Sequence, residues 1–506
     1  MPSADSGPLD TRRAGVLLHV TSLPSPYGAG DLGQEAHRFV EFLAEAGFTL
    51  WQLLPLVPTH EGDRSPYNGT SAMAGNPELI SIDWLAERGL LTDDDLADVR
   101  EGRASRADVR TRAVHTWLAE VEAGRREGQR EDFLAWAEGQ ADWLVDYAEF
   151  VALRESHGGR SWTEWEPALR DRHPDELDKA LAPLQDRLRV LQFEQYLFDR
   201  QWTMLTEYAA ERGVLTFGDL PIFVSLDSSD VWAQRELFLL DDDGQPTTVT
   251  GVPPDYFSET GQRWNNPHYD WDRMREDDFA WWRRRIARQR ELFDVVRIDH
   301  FRGFEASWHV PAESETAIEG AWVQTPGREV LAALVEEAGQ GRLVAEDLGM
   351  ITPEVDRLRA DFGLPGMKVL QFAFDGDPHN VHLPQQHERN AVVYTGTHDN
   401  DTTVGWAADL DDRTRVRARQ YLVGPQEEMP WPMTRTVLAS VARTAVIPMQ
   451  DLLGLGSAAR MNVPGEADGN WGWQMRADAL DPELASRTRE LLTRYDRCCE
   501  GEKVEP

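Results

Sequence analysis

Short, nearly continuous apolar runs recur along the chain, and stretches of helical periodicity lie between most of them. The runs are Gly15–Val20, Leu50–Leu56, Leu215–Val224, Asp294–Phe301 and Arg342–Gly349, then runs opening at Met367, Ala391 and Thr444. Each has the length of a strand and is rich in β-branched or apolar residues. Runs without polar alternation, separated by helices, are the pattern of parallel strands covered on their outer side. Eight such units predict an α/β fold, a (β/α)8 TIM barrel.

A bare barrel takes roughly 250 residues, and this chain has 506. The surplus predicts a single barrel domain over residues 1–506 with large, mainly helical insertions in the strand-to-helix loops. The larger insertion, residues 85–212 between the second and third strands, reads as a helical subdomain. Its last helix places Leu184, Leu188, Leu191, Phe198, Trp202 and Leu205 on one stripe, with Gly213 as its stop. The second insertion, residues 225–293 between the third and fourth strands, holds a hairpin turning at Asp243–Gly244 and a Gly- and Pro-rich loop at 251–266. The tail after Asp496 is expected to fray.

Barrel chemistry sits where the strands end. The fourth run ends Arg297-Ile298-Asp299-His300, the fifth Ala345-Glu346-Asp347, and the seventh Thr397-His398-Asp399-Asn400. Three carboxylates thus converge on one mouth. Arg297 and Asp299 are two apart and share a face. Paired carboxyls are what glycoside chemistry needs, one attacking the anomeric carbon and one delivering a proton. Arg297 is expected to hold Asp299 as a carboxylate. Glu346, in an apolar run, is the better candidate for a raised pKa, and Asp399 could stabilise developing positive charge. A buried acid can also be a mere structural ion-pair partner; three on cue at strand ends argue for a site.

Charge narrows the partners. The net charge is −36, and only Lys179, Lys368 and Lys503 among 52 basic residues are lysines. Such a field repels nucleic acid and acidic membrane surfaces. It also suits a salt-rich cytoplasm, where salt screens self-repulsion. The opening residues MPSADSGPLDTRRA carry no signal-like apolar stretch, so a cytoplasmic location is expected. The two cysteines, Cys498 and Cys499, predict no disulfide framework and no metal site. Gly28–Gly33 fits G-x-G-x-x-G, but Pro24 and Pro26 separate it from the first strand, so a plain loop is expected rather than a dinucleotide site. Asp241–Asp243 before Gly244 lacks the rest of a calcium loop and reads as a solvated turn.

FDVVRIDHFRGF (293–304), VAEDLG (344–349) and YTGTHDNDT (394–402) resemble the nucleophile, acid/base and stabiliser motifs of amylomaltases, the 4-α-glucanotransferases of glycoside hydrolase family 77. SLPSPYGAGDLG, WQLLPL, SPYNGTSAMAGNP, GVPPDYFS, GQRWNNPHYDW and RMNVPGEADGNWGW resemble further blocks in family order. The resemblance implies catalytic roles for Asp299, Glu346 and Asp399. It implies contact with sugar for Tyr67, Asp219, Arg297, His300, His398, Asn400, Trp264, Asp255, Tyr256 and Asn470. It implies transfer between maltooligosaccharides, or glucans derived from starch or glycogen, in a monomer or weak homodimer without metal or organic cofactor. The sequence departs from the family at Asn68-Gly69-Thr70 and Arg263-Trp264-Asn265, which bears on glucan binding and not on the carboxylates. Two other readings stay open: an α-1,4-glucan hydrolase with the same carboxylates, and a non-catalytic starch-binding protein.

Overall fold

The computed structural model describes residues 7–60, 62–254, 258–466 and 468–498. Among them, twelve strands fall into two sheets. The first sheet joins β1 (Arg13–Leu17), β2 (Leu50–Gln52), β3 (Leu215–Pro221), β6 (Val295–Asp299), β9 (Leu343–Ala345), β10 (Gly366–Val369), β11 (Ala391–Tyr394) and β12 (Thr444–Pro448). Every ladder in it is parallel, and β1 lies between β12 and β2. At the seam the Ala345 N–H donates to Pro365 O at 2.9 Å, which brings β9 against the start of β10 and nearly closes the cylinder. This is the (β/α)8 barrel that the eight runs predict.

Alternation along each strand divides the core. Leu17, Leu50, Phe217, Val295, Val344, Val369, Tyr394 and Val446 form a cluster inside the barrel. Val16, Trp51, Leu220, Val296, Ile298, Ala345 and Ile447 face the helices in the larger cluster. Each such fully buried aliphatic or aromatic side chain contributes roughly 1.5–3 kcal/mol. Gly218, between Phe217 and Asp219, shows why the register is tight. A Cβ there would sit 2.2 Å from the Phe293 ring. A side chain would push β3 off its neighbour and move Asp219.

Between β2 and β3 the described residues are mainly helical, ending in the 27-residue helix Gln185–Glu211. Leu191, Phe198, Trp202 and Leu205 are buried along its stripe, while Leu184 and Leu188 are half-buried. Trp202 donates from Nε1 to Leu292 O at 2.8 Å. Gly213 follows the helix at φ 71°, a left-handed stop. The turn at Asp243–Gly244 also forms: Leu240 bridges Pro246 antiparallel, and Gly244 stands at φ 78°.

Three features differ from the sequence expectations. A second, antiparallel sheet of β4 (Thr248–Val252), β5 (Gln262–Pro267), β7 (Ala306–Pro311) and β8 (Ala321–Gln324) takes up much of the 251–266 loop. Its strands lack clear apolar alternation; Ala321–Gln324 is largely exposed. The seventh run is strand only to Tyr394, so Thr397–Asn400 lies on a loop. That loop is bent by the Asn400 side chain, whose Oδ1 accepts from Thr397 N (2.9 Å) and Thr397 Oγ1 (3.0 Å). The tail does not fray at Arg497, which is 0% exposed. Its guanidinium donates to the carbonyls of Arg13, Leu438, Ser440, Ala442 and Arg443, locking this residue in place. Cys498 then packs against Gly47 and receives Arg489 Nη1 at 3.9 Å, and Cys499 lies outside the described residues.

Candidate active site

The inward-facing positions of the barrel change character from floor to mouth. On β3, Phe217 is followed two residues on by Asp219. On β6, Val295 is followed by Arg297 and then Asp299. Val344 of β9 is followed by Glu346, just past the strand end. The β3–β6 register sets Asp219 opposite Arg297 and Pro221 opposite Asp299. Strand geometry alone therefore stacks an acid, a base and two further acids above an apolar floor.

Arg297 is the hub. Its Nε donates to Asp219 Oδ1 (2.9 Å) and its Nη2 to Asp219 Oδ2 (2.8 Å) and Asp299 Oδ1 (2.8 Å). The Tyr67 hydroxyl donates to Asp219 Oδ2 at 2.6 Å and lies 3.2 Å from Arg297 Nη2. His398 Nε2 is 2.9 Å from the same hydroxyl. The Tyr67 proton is directed at Asp219, so Nε2 of His398 carries its own hydrogen and donates to the Tyr67 oxygen. Burial holds His398 below its ordinary pKa, against the pull of Asp399. The Tyr67 and His398 rings stack at 5.3 Å, and Trp471 leans on both at 5.8 and 6.0 Å.

The acids sit in unlike surroundings. Glu346 accepts two main-chain hydrogen bonds, His300 N–H to Oε2 and Leu348 N–H to Oε1, each 2.8 Å. Burial still pushes it up to about 7, with Arg297 and the two N–H groups pulling the other way. Asp299 is also pushed up, first by burial and then by the charges of Asp219, Glu346 and Asp399, with Arg297 opposing. Arg297 favours the Asp299 carboxylate, as expected, but burial outweighs it, and the same guanidinium also serves buried Asp219. Asp299 nevertheless keeps 31% of its side chain open and receives the guanidinium directly. Of the two, only Asp299 has an ion-pair partner among the described residues.

Asp399 stands across the mouth with 44% of its side chain exposed. Asn462 Nδ2 donates to its Oδ1 at 2.6 Å, and Arg460 Nη2 donates to its main-chain oxygen at 2.6 Å. Asn462 N–H also donates to His398 O at 3.1 Å. Neither Arg460 nor Asn462 is reached by sequence reasoning, although both lie in or beside the RMNVPGEADGNWGW block. Buried His19, near the end of the first apolar run, is also new; it lines the same cavity as His398, and burial and His398 lower it to about 3.

The remaining predicted residues divide. Trp264, on β5, packs edge-on to the His300 ring at 4.8 Å. Asn400 spends its Oδ1 on the Thr397 turn. Asn470 is half-buried and braces its own loop through Val463 and Glu466. Asp255 and Tyr256 lie outside the described residues. Among the described residues no cluster of His, Cys, Asp and Glu is arranged to hold a metal ion, and no helix is long and apolar enough to cross a membrane.

The family described as 4-alpha-glucanotransferase, glycoside hydrolase family 77, matches residues 18–480. The chain belongs to this family. It is 48% identical to the 4-alpha-glucanotransferase of Thermus thermophilus, over 96% of this chain and 99% of that one. It is 45% identical to the 4-alpha-glucanotransferase of Synechocystis sp., over 97% and 99%. Among solved structures, an amylomaltase from Streptococcus agalactiae in complex with acarbose superimposes with a TM-score of 0.90 at 38% identity, over 96% of this chain and 100% of that chain. Family membership makes the chain a 4-alpha-glucanotransferase by enzyme class, and it removes the non-catalytic starch-binding reading.

Proposed function

We propose that this protein cuts an α-1,4-glucan and passes the fragment to the 4-OH of an acceptor glucose or glucan, with retention, by double displacement. Asp299 Oδ attacks C1 of the donor sugar, and the bond from C1 to the leaving O4 breaks. Glu346 gives its proton to that oxygen. The acceptor hydroxyl then attacks C1 of the glycosyl ester, freeing Asp299, and its proton goes to Glu346. Asp399 faces the oxocarbenium-like charge. Arg297, Asp219, Tyr67, His300, His398, Asn400, Trp264, Asp255, Tyr256 and Asn470 bound the sugar chain. The carrying observation is the contrast between Asp299, ion-paired to Arg297, and Glu346, half-buried, held by two main-chain N–H groups and raised to about 7. Acarbose in the Streptococcus agalactiae relative supports an oligosaccharide in this cleft.

In this reading residues 85–212 and 225–293 are subdomains inserted into the barrel's connections. Shielding of the cleft from water would favour a sugar acceptor over hydrolysis. The enzyme works in the cytoplasm, without a cofactor, as a monomer or weak homodimer. Maltotriose tests it: transfer gives glucose plus longer maltooligosaccharides with constant reducing ends. Rising reducing ends without longer chains would instead establish the hydrolase. Glu346→Gln is expected to lower turnover by about 10²–10⁴-fold, and unchanged turnover would reject the assignment.

A further inference from the structure

His300 follows Asp299 directly and stands in the left-handed region, at φ 53° and ψ 48°. Such a backbone is disfavoured for any residue with a Cβ and persists where its surroundings enforce it. At this turn the chain steps from one candidate carboxyl to the other. Glu346 N–H donates to Ile298 O (3.0 Å), Phe301 N–H donates to Glu346 O (3.1 Å), and between them His300 N–H meets the Glu346 Oε2 atom at 2.8 Å. We propose that the left-handed turn at His300 is a positioning device for the acid/base carboxyl, aiming a main-chain N–H at Glu346 Oε2 and so tuning that carboxyl. This rests on the reading of Glu346 as the acid/base.

The main chain, and not the imidazole, carries the effect. The His300 Nε2 is buried and has no hydrogen-bond partner among the described residues. Burial and Arg302 lower the ring to about 3, so it is neutral in the working range. The ring instead wedges the turn: Trp264 packs on it at 4.8 Å and Phe223 at 6.2 Å. Gly303 leaves room for it, since a Cβ there would lie 3.3 Å from His300 Cδ2. The charged groups facing Glu346 are Arg297 and Asp299 from β6 and Asp347 beside it, itself offset by Lys368 and Arg359. Within this set the His300 N–H favours the carboxylate and moderates the upward push of burial.

His300→Gly, His300→Ala and His300→Val all delete the imidazole but differ in tolerance for a left-handed backbone: glycine adopts it freely, alanine less so, and a β-branched residue least. The pH profile of kcat/KM on maltotriose is measured for the three, with Glu346→Gln alongside. His300→Gly is expected to keep the parent basic limb, while KM rises through loss of the ring. In His300→Val the limb should move up by about one pH unit with a fall in kcat, and His300→Ala should lie between. If the valine variant does not fold, the glycine and alanine variants decide by the same order. A limb that stays put in all, or moves equally in all, overturns the proposal. Full turnover by Glu346→Gln would instead overturn the acid/base reading beneath it.

Discussion

Arg297 and Asp219 form a two-point ion pair on the floor of the cleft, with Nε–Oδ1 at 2.9 Å and Nη2–Oδ2 at 2.8 Å and side chains 3% and 0% exposed. The pair is a consequence of register, since the two residues are direct neighbours across the β3–β6 ladder. It holds the guanidinium that Asp299 needs. Removing the acid leaves a buried cation whose other partners are Tyr67 and half-open Asp299. Asp219→Ala is therefore expected to lower stability by about 3–5 kcal/mol, read from urea unfolding. Arg297→Met together with Asp219→Leu should recover much of that loss without recovering activity. A single variant as stable as the parent would show that the pair is not buried as described.

Asn462 makes a prediction about catalysis rather than stability. Its amide pins Asp399 Oδ1 at 2.6 Å and its main chain ties the neighbouring His398 carbonyl. With one oxygen held by Asn462 and the other 3.4 Å from His398 Nε2, the carboxylate is fixed in orientation. Asn462→Ala frees the carboxylate to rotate while leaving the loop's main-chain bonds. We expect kcat to fall by about 10–100-fold, the range seen when an orienting partner is lost, with KM changed far less. A rise in KM at constant kcat would assign Asn462 to ground-state binding instead.

Which features were legible follows from the same geometry. Arg297 and Glu346 sit two residues beyond inward apolar positions and Asp299 two beyond Arg297, so strand ends and period-two alternation expose them in the sequence, whereas Asp219 comes only with the family resemblance. Asp399 is legible from the end of its run as well as from the Tyr394–Thr402 motif, although it lies on a loop past the strand that ends at Tyr394. Arg460 and Asn462 reach Asp399 from 61 and 63 residues away, and no periodicity links a loop to a loop. The β4–β5–β7–β8 sheet is hidden because QRWNNP and AWVQ carry no buried alternating face. Arg497 reads as a solvated tail residue, and nothing local reveals five carbonyls awaiting it. His300 carries no sign of its left-handed turn, since the usual markers there are glycine and asparagine.

The acidic surface gives a prediction under the control of salt. Acidic residues number 88 against 52 basic ones, so the many surface ion pairs, such as Arg275 with Glu329 and Arg187 with Glu155, leave a large excess of like charge. The screening length falls from about 30 Å at 0.01 M salt to about 3 Å at 1 M. Repulsion that disfavours the compact state should therefore relax, and Tm should rise steadily with KCl across that range. A Tm independent of salt would show that the acidic excess is spaced widely enough to cost the fold nothing, and would remove the case for adaptation to a salt-rich cytoplasm.

Glu346 links the site to stability through pH. Burial raises it from an ordinary 4.5 to about 7 in the folded protein. Between those values the folded chain holds a proton that the unfolded chain has released, so stability falls as pH rises. Its stabilising contribution is complete below about pH 4.5 and is lost as pH climbs through about 7. Glu346→Gln cannot titrate and lacks this slope. Urea unfolding of parent and variant at about pH 5 and about pH 8 should show the parent losing ground to the variant at the higher pH. Over the same interval the parent's transfer rate should fall, because the leaving oxygen then meets a carboxylate in place of an acid. A stability difference that stays constant between the two pH values would mean that Glu346 ionises as an ordinary carboxyl, and the assignment of the proton donor would have to move elsewhere.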